Sequence, residues 1–218
     1  MAKAAPPLPV SLRAQAWIAF VGARRRAPLA PTAVAHRLAR VGAPSWPVLF
    51  DLEARFSLEG DVVHGRFLWI GAKHRGFGRT RTIEGRPYVL AGGFDPILWY
   101  VGETGHVVEV DDLGERFFES DSVAHRIEQL ALEEAAAYRQ LSGRRGGELA
   151  ETLDLLPIPE ASDSKNAYWR GSDSEAQDGL LVLERFTPRA YGAREREWTT
   201  WLLAPKQSAL DDALKRIP

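Results

Sequence analysis

Hydrophobic positions recur along this chain in two textures, and each predicts a different kind of element. Up to residue 56 they come at helical spacing. Leu12, Ala16, Ile18, Ala19 and Phe20 predict a first helix, capped by Ser11 and running to about Arg25. Pro31 at a first turn and Gly42 at a stop bracket a second helix over residues 32–41. Val48, Leu49, Leu52 and Phe56 stripe a third, with Ser45 as its expected cap. From Leu58 the chain changes to glycine-punctuated runs of aromatic and β-branched residues. These predict strands at 65–71 and 86–91, separated by a basic loop or irregular strand at 72–82.

The most strongly patterned stretch is residues 92–141. Ile97, Leu98, Trp99, Tyr100 and Val101 predict a buried strand. Gly102 to Gly105 is turn chemistry, and Val107, Val108 and Val110 form a second strand, so the pair is expected to be a hairpin with a four-residue loop. A turn at residues 111–114 follows. Ser120 or Ser122 then caps a helix that carries Val123, Ile127, Leu130, Ala131, Tyr138 and Leu141 on one face and stops at Gly143. Beyond it the pattern predicts a short helix at 148–156 and a polar loop at 161–178 pinned by Tyr168 and Trp169. Strands at 179–186 and 197–203 are expected to pair, and a last helix at 209–217 to be capped by Ser208.

Helices, then meandering strands, then helices again argue an α+β fold: N-terminal helices, a central mainly antiparallel sheet, a covering helix, and a small C-terminal strand pair with a helix. The expected division is a flexible tail at 1–10, an α+β domain at 11–143, and a C-terminal extension or small lobe at 144–218.

Composition narrows the function. The chain has 218 residues, 45% hydrophobic and 26% charged, as ordinary globular proteins do. It has no cysteine, which excludes disulfides, thiol catalysis and Cys-ligated zinc. No run reaches the ~18–20 apolar residues of a membrane span. The apolar stretch at 14–21 is short and has its charges, Arg24 to Arg26, on the wrong side for a secretion signal. A cytoplasmic protein without membrane association is expected. The five histidines show no ligand spacing, so no metal is expected. Neither a nucleophile elbow nor a phosphate loop occurs, and no nucleophile, base and orienter come together, so neither a cofactor nor an enzyme is expected.

Charge is unevenly spread although the net charge is -1. Basic residues dominate 24–86 and acidic ones dominate 103–121. Two candidate surfaces follow. Glu103, Glu109, Asp111, Asp112 and Glu115, on or beside the hairpin, form an acidic edge suited to steering a basic protein partner. Arg75, Phe77, Arg79 and Arg81 form a basic loop able to track phosphates and stack a base. The pI of about 6.5 gives no long-range attraction to a polyanion, so nucleic acid is the lesser expectation.

The Ala43-Pro44-Ser45-Trp46-Pro47 start of the third helix, the Trp99 to Val108 strand–turn–strand and the Glu119 to Val123 approach to the next helix together resemble the SUKH superfamily. That superfamily groups bacterial immunity proteins with fungal cell-wall-synthesis regulators. The resemblance covers roughly residues 8–141. Where many relatives have Gly-Gly after the third helix, this chain has only Gly60. The resemblance implies an α+β fold with a central antiparallel sheet and a non-enzymatic role: an immunity protein, or antitoxin, that binds and blocks a cognate toxin, frequently a nuclease. A regulatory or scaffold module of the same fold is the alternative it implies. It transfers no toxin-contact residue, so the acidic edge rests on the charge reading alone, and the oligomeric state stays open.

Overall fold

A computed structural model describes residues 7–60, 67–94, 96–111, 114, 116–133, 137–141, 143–171, 179–188 and 196–217. It carries an α+β fold in two compact units, Met1–Ala124 and His125–Pro218. Asp112 and Glu115 of the expected acidic edge lie outside the described residues. Among the described residues no helix is long and apolar enough to cross a membrane.

The first unit opens with α1 (Leu12–Phe20), whose N-cap Ser11 accepts from the Ala14 amide at 3.2 Å. The helix is shorter and differently phased than its pattern predicts. Ala14, Trp17 and Ile18 are buried, whereas Leu12 is 82% and Phe20 60% exposed. Gly22, at φ +73°, turns the chain, and Ala23–Arg25 becomes a strand, β1, instead of a last helical turn. In α2 (Pro31–Arg40), Pro31 occupies the first turn, where its missing N–H costs no hydrogen bond, and Val34 and Leu38 are buried. Pro47 does the same for α3 (Pro47–Arg55), whose cap position falls on Trp46 and not on Ser45. The carboxylate of Glu53, on α3, is buried but well satisfied. It accepts from the amides of Leu29 (2.7 Å) and Ala72 (2.5 Å) and from Ser57 Oγ (3.2 Å), tying two loops to the helix.

The strands β2 (Leu58–Gly60), β3 (Leu68–Ile70), β4 (Thr80–Ile83), β5 (Arg86–Phe94), β6 (Ile97–Val101), β7 (Val107–Val110) and β8 (Arg116–Ser120) join β1 in one antiparallel sheet, in the order β1-β2-β3-β5-β6-β7-β8. The long β5 serves two neighbours on one side. Its first half, Arg86 to Val89, pairs with β4, and its last residues, Gly92 to Phe94, pair with β3. The register against β6 slips between Leu90 and Gly92, at the point where β5 changes partner. The expected hairpin is present as β6 and β7. Its connection is 102–106, one residue longer than the expected loop, closed by Gly102 N–H donating to His106 O at 2.8 Å.

The second unit departs further from expectation. The helix α4 (Val123–Glu133) buries Val123 and Ile127 and half-buries Leu130, but it ends well before Gly143. Ala137–Leu141 is instead a strand, β9, leaving Tyr138 67% exposed. Tyr138 and Leu141 fall on the helical face only by coincidence of spacing; backbone pairing with Thr200 to Ala204 of a neighbouring strand holds their segment extended. That pairing also explains why the boundary between units falls inside α4 and not after residue 143.

After α5 (Gly146–Leu153) and β10 (Leu155–Pro157), the segment expected to be a polar loop contains β11 (Asn166–Gly171). The predicted strand pair appears as β12 (Leu181–Pro188) and β13 (Arg196–Ala204), and it forms part of a five-stranded sheet ordered β10-β11-β12-β13-β9. The last helix, α6 (Gln207–Arg216), starts with Lys206 at the cap, so Ser208 lies within its first turn. Leu149, Ala150, Leu153, Leu210 and Ala213 from α5 and α6 pack with Val182, Leu202 and Ala204 of the sheet. A second cluster gathers Ile158, Ala161, Tyr168, Leu181, Leu183 and Leu203.

Candidate functional site

The acidic edge is only partly a surface. Glu103 stands exposed at the β6–β7 tip. Glu109 is buried at 3% exposure and stands opposite Trp99 in the cross-strand row Ile70, Gly92, Trp99, Glu109. Asp111 is buried as well, at 7%. Both are buried and so lie off the exposed surface that the expected acidic edge requires. All four residues of β7 are buried, so a Val-Val-Glu-Val pattern here does not mean one solvent face.

An acidic residue outside the expected set is exposed at the same end of the sheet. Glu84, 73% exposed in the β4–β5 turn, pairs with Arg116, and the same guanidinium pairs with the buried Glu119. Glu119 Oε2 lies 3.1 Å from His106 Nε2, and His106 Nδ1 lies 3.2 Å from Tyr88 Oη. This chain of side chains crosses β5, the β6–β7 loop and β8, and it fixes both turn tips, one carrying Glu84 and the other Glu103. Nothing in the local sequence marks it, since its five members span residues 84–119.

The basic loop also divides. Phe77 is buried at 1% exposure and anchors the loop in the core, so it is not a stacking platform. Arg81 Nη2 donates to Gly114 O at 2.9 Å and is spent on tying β4 to the turn after β7. Arg75 and Arg79 remain exposed, and both line a cleft of about 520 Å³ with Phe67, Trp69, His74, Gly76, Leu90 and Leu98.

The cleft exists because of how β5 changes partner. The segment between β3 and β4 has to bridge that change, and it is stitched to β5 at both ends. Gly71 N–H donates to Ala91 O (2.9 Å), Gly78 N–H to Leu90 O (2.9 Å), and Leu90 N–H to Arg79 O (2.8 Å). From α2, Arg37 Nη2 donates to His74 O at 2.6 Å. Gly78 sits at φ +90°, where a Cβ would come within 2.9 Å of Val41, so only glycine closes this loop without strain. Trp69, Gly93 and Leu98 form one cross-strand row. The absence of a side chain at Gly93 makes room for the Trp69 indole, since a Cβ there would lie 3.1 Å from Trp69 Nε1.

The His74 ring stacks on that indole with centroids 3.8 Å apart and planes at 23°, and the Phe67 ring is 5.9 Å away. Burial and the charges of Arg75 and Arg37, joined by Arg79 and opposed by Glu59, hold His74 below its ordinary pKa, so its ring is neutral at pH 7. Its Nδ1 accepts from the Gly76 amide at 3.1 Å, which leaves the ring proton on Nε2. The result is a cleft lined by stacked rings and by two exposed arginines. No group of three or more His, Asp or Glu among the described residues is placed to hold a metal ion. Neither the family models, nor the curated proteins, nor the solved structures contain a match to this chain.

Proposed function

We propose that this protein is an intracellular immunity protein of the SUKH type, which binds and occludes a cognate toxin through the end of the first sheet where the β4–β5 and β6–β7 turns lie. The observation that carries this reading is the chain Tyr88–His106–Glu119–Arg116–Glu84, which holds two turn tips in one arrangement before any partner arrives. A toxin that cleaves nucleic acid must present cations to bind phosphate. Exposed carboxylates on pre-ordered turns suit such a face, because little conformational entropy remains to be lost on binding. Glu84 and Glu103 replace the buried Glu109 and Asp111 as the contact carboxylates. The resemblance of residues 8–141 supports the same role.

The Glu84→Lys/Glu103→Lys double variant tests this surface. Tagged wild type captured from the producing cells should bring down a basic toxin, and the purified toxin should be inactivated by it. Charge reversal should slow association at low salt by at least tenfold, with a smaller effect at high salt as screening over a Debye length of ~8–10 Å removes the steering. Glu103 lies outside that chain of side chains, so Glu103→Lys alone should change folding stability by no more than about 0.5 kcal/mol, whereas Glu84→Lys also removes the pair with Arg116 and should cost up to about 1 kcal/mol more. Equal association rates at both salt concentrations would remove this surface from the interface, and failure of the wild type to protect against any captured protein would remove the immunity reading.

A further inference from the structure

The cleft beside the basic loop is independent of that partner surface, and its chemistry is different. We propose that it binds a small organic anion made of a flat ring that carries a phosphate, the chemistry of a nucleotide. Its volume of about 520 Å³ lies within the roughly 300–1,000 Å³ of sites that hold small molecules. Phe67 and the His74 ring stacked on Trp69 supply flat aromatic surface, and Leu90 and Leu98 supply an apolar lining. Such surface takes a planar ring.

Two features select an anion. Arg75 and Arg79 are both at the cleft, both exposed, and without an ion pair among the described residues, whereas Arg37 and Arg81 each donate to a backbone carbonyl. Two guanidiniums four residues apart on one loop match a phosphate, whose oxygens accept several charge-assisted hydrogen bonds at once. The neutral His74 adds an Nε2–H donor. The loop is also preformed: the backbone bonds at Gly71, Gly78 and Leu90 and the buried Phe77 hold it, so binding need not order it. A ring-bearing phosphate occurs both in a free nucleotide and along a single-stranded nucleic acid, and affinity separates the two sources.

The experiment is calorimetric titration of the full chain with AMP, with inorganic phosphate and with a short single-stranded oligothymidylate, repeated on Arg75→Gln/Arg79→Gln. The wild type should bind AMP saturably, one per chain, and bind inorganic phosphate at least about tenfold more weakly, because phosphate lacks the ring. The double variant should lose at least about tenfold in AMP affinity, the order expected when two charge-assisted bonds are removed. Both arginines are exposed, so its thermal unfolding should match that of the wild type. Oligothymidylate binding tighter than AMP, with the same loss in the variant, would identify nucleic acid as the source of the ring and phosphate; preference for AMP would identify a free nucleotide. No saturable binding of AMP or oligothymidylate, equal binding of phosphate and AMP, or undiminished binding by the double variant would each overturn the proposal.

Discussion

Replacing Glu133 by alanine is expected to destabilise the second unit by about 3–5 kcal/mol, the usual penalty for removing one partner from a buried ion cluster. Glu133 is the last described residue of α4 and lies between two guanidiniums, Arg126 and Arg185, each only 4% exposed. Arg126 Nη1 is 3.1 Å from its carboxylate, Arg185 Nη2 donates to the same oxygen, and Tyr168 Oη donates to it at 2.6 Å. Arg185 Nε in turn donates to Asn166 Oδ1 at 2.8 Å, and Asn166 is held by Asp163, which also accepts from Gln129 at 2.9 Å. One helix and two strands are therefore joined through a single carboxylate.

Glu133→Gln keeps the shape and removes the charge, so it should retain most of the loss if the ion cluster is the cause. Urea unfolding of the full chain at pH 7 measures both variants, and a loss below about 1 kcal/mol for alanine would show that the cluster contributes little.

The same carboxylate predicts an acid dependence. Burial alone would raise its pKa, but the attraction of Arg185 and Arg126 and the hydrogen bonds from Arg185 and Tyr168 outweigh that, and it falls from an ordinary 4.5 to about 2. The folded value lies below the unfolded one. The contribution is therefore fully present above pH 4.5 and is lost as the pH falls from there towards about 2, where the folded form also takes up the proton. Its size is on the order of 3 kcal/mol. Glu133→Gln should lose correspondingly less stability than wild type across that interval. Parallel acid curves for the two proteins would reject the assignment.

In the first unit the largest effect is expected at Trp99. Its side chain is fully buried at the middle of β6, between Gly92 of β5 and Glu109 of β7. A Cβ at Gly92 would meet Trp99 Cε3 at 3.1 Å, so the indole occupies space that the glycine leaves. Trp99→Ala removes the largest side chain from a row that cannot close over it, and a loss of about 3–5 kcal/mol is expected. Trp99→Phe retains most of the volume and should lose clearly less. Denaturant midpoints of the two variants test this; equal losses would show that the ring system as such, and not the filled volume, matters at this position.

Much of the first unit is legible in the amino-acid sequence. The Ser11 cap, Pro31 at a helix start, the Gly42 stop and the β6–β7 hairpin are all local devices, in which a few neighbouring residues settle the backbone by themselves. The pairing of β12 with β13 is legible for a related reason: each strand is long and apolar enough to have no helical competitor. The phase of α1 is not legible. Ala16, Ala19 and Phe20 are as apolar as the residues that are buried, and only the neighbouring elements select the ridge Ala14, Trp17, Ile18.

What the sequence alone determined, then, is the class of fold, the local turns and caps, and the presence of one basic and one acidic region. What tertiary structure decided is which of those charges are available. Glu109 and Asp111 looked like surface because carboxylates usually are, but all four residues of β7 are buried, so both of its faces are covered, and Asp111 just beyond its end is buried too. Residues 137–141 became a strand because β13 presented hydrogen-bonding groups to them, which no helical periodicity encodes. The cleft arose in the same way. Arg75 and Arg79 were visible in the loop, but the Trp69–His74 stack beside them depends on Gly93 lying opposite Trp69 across a strand pair, 24 positions along the chain. Local chemistry is written in neighbouring residues; exposure and juxtaposition depend on long-range pairing, and that is fixed only when the whole sheet closes.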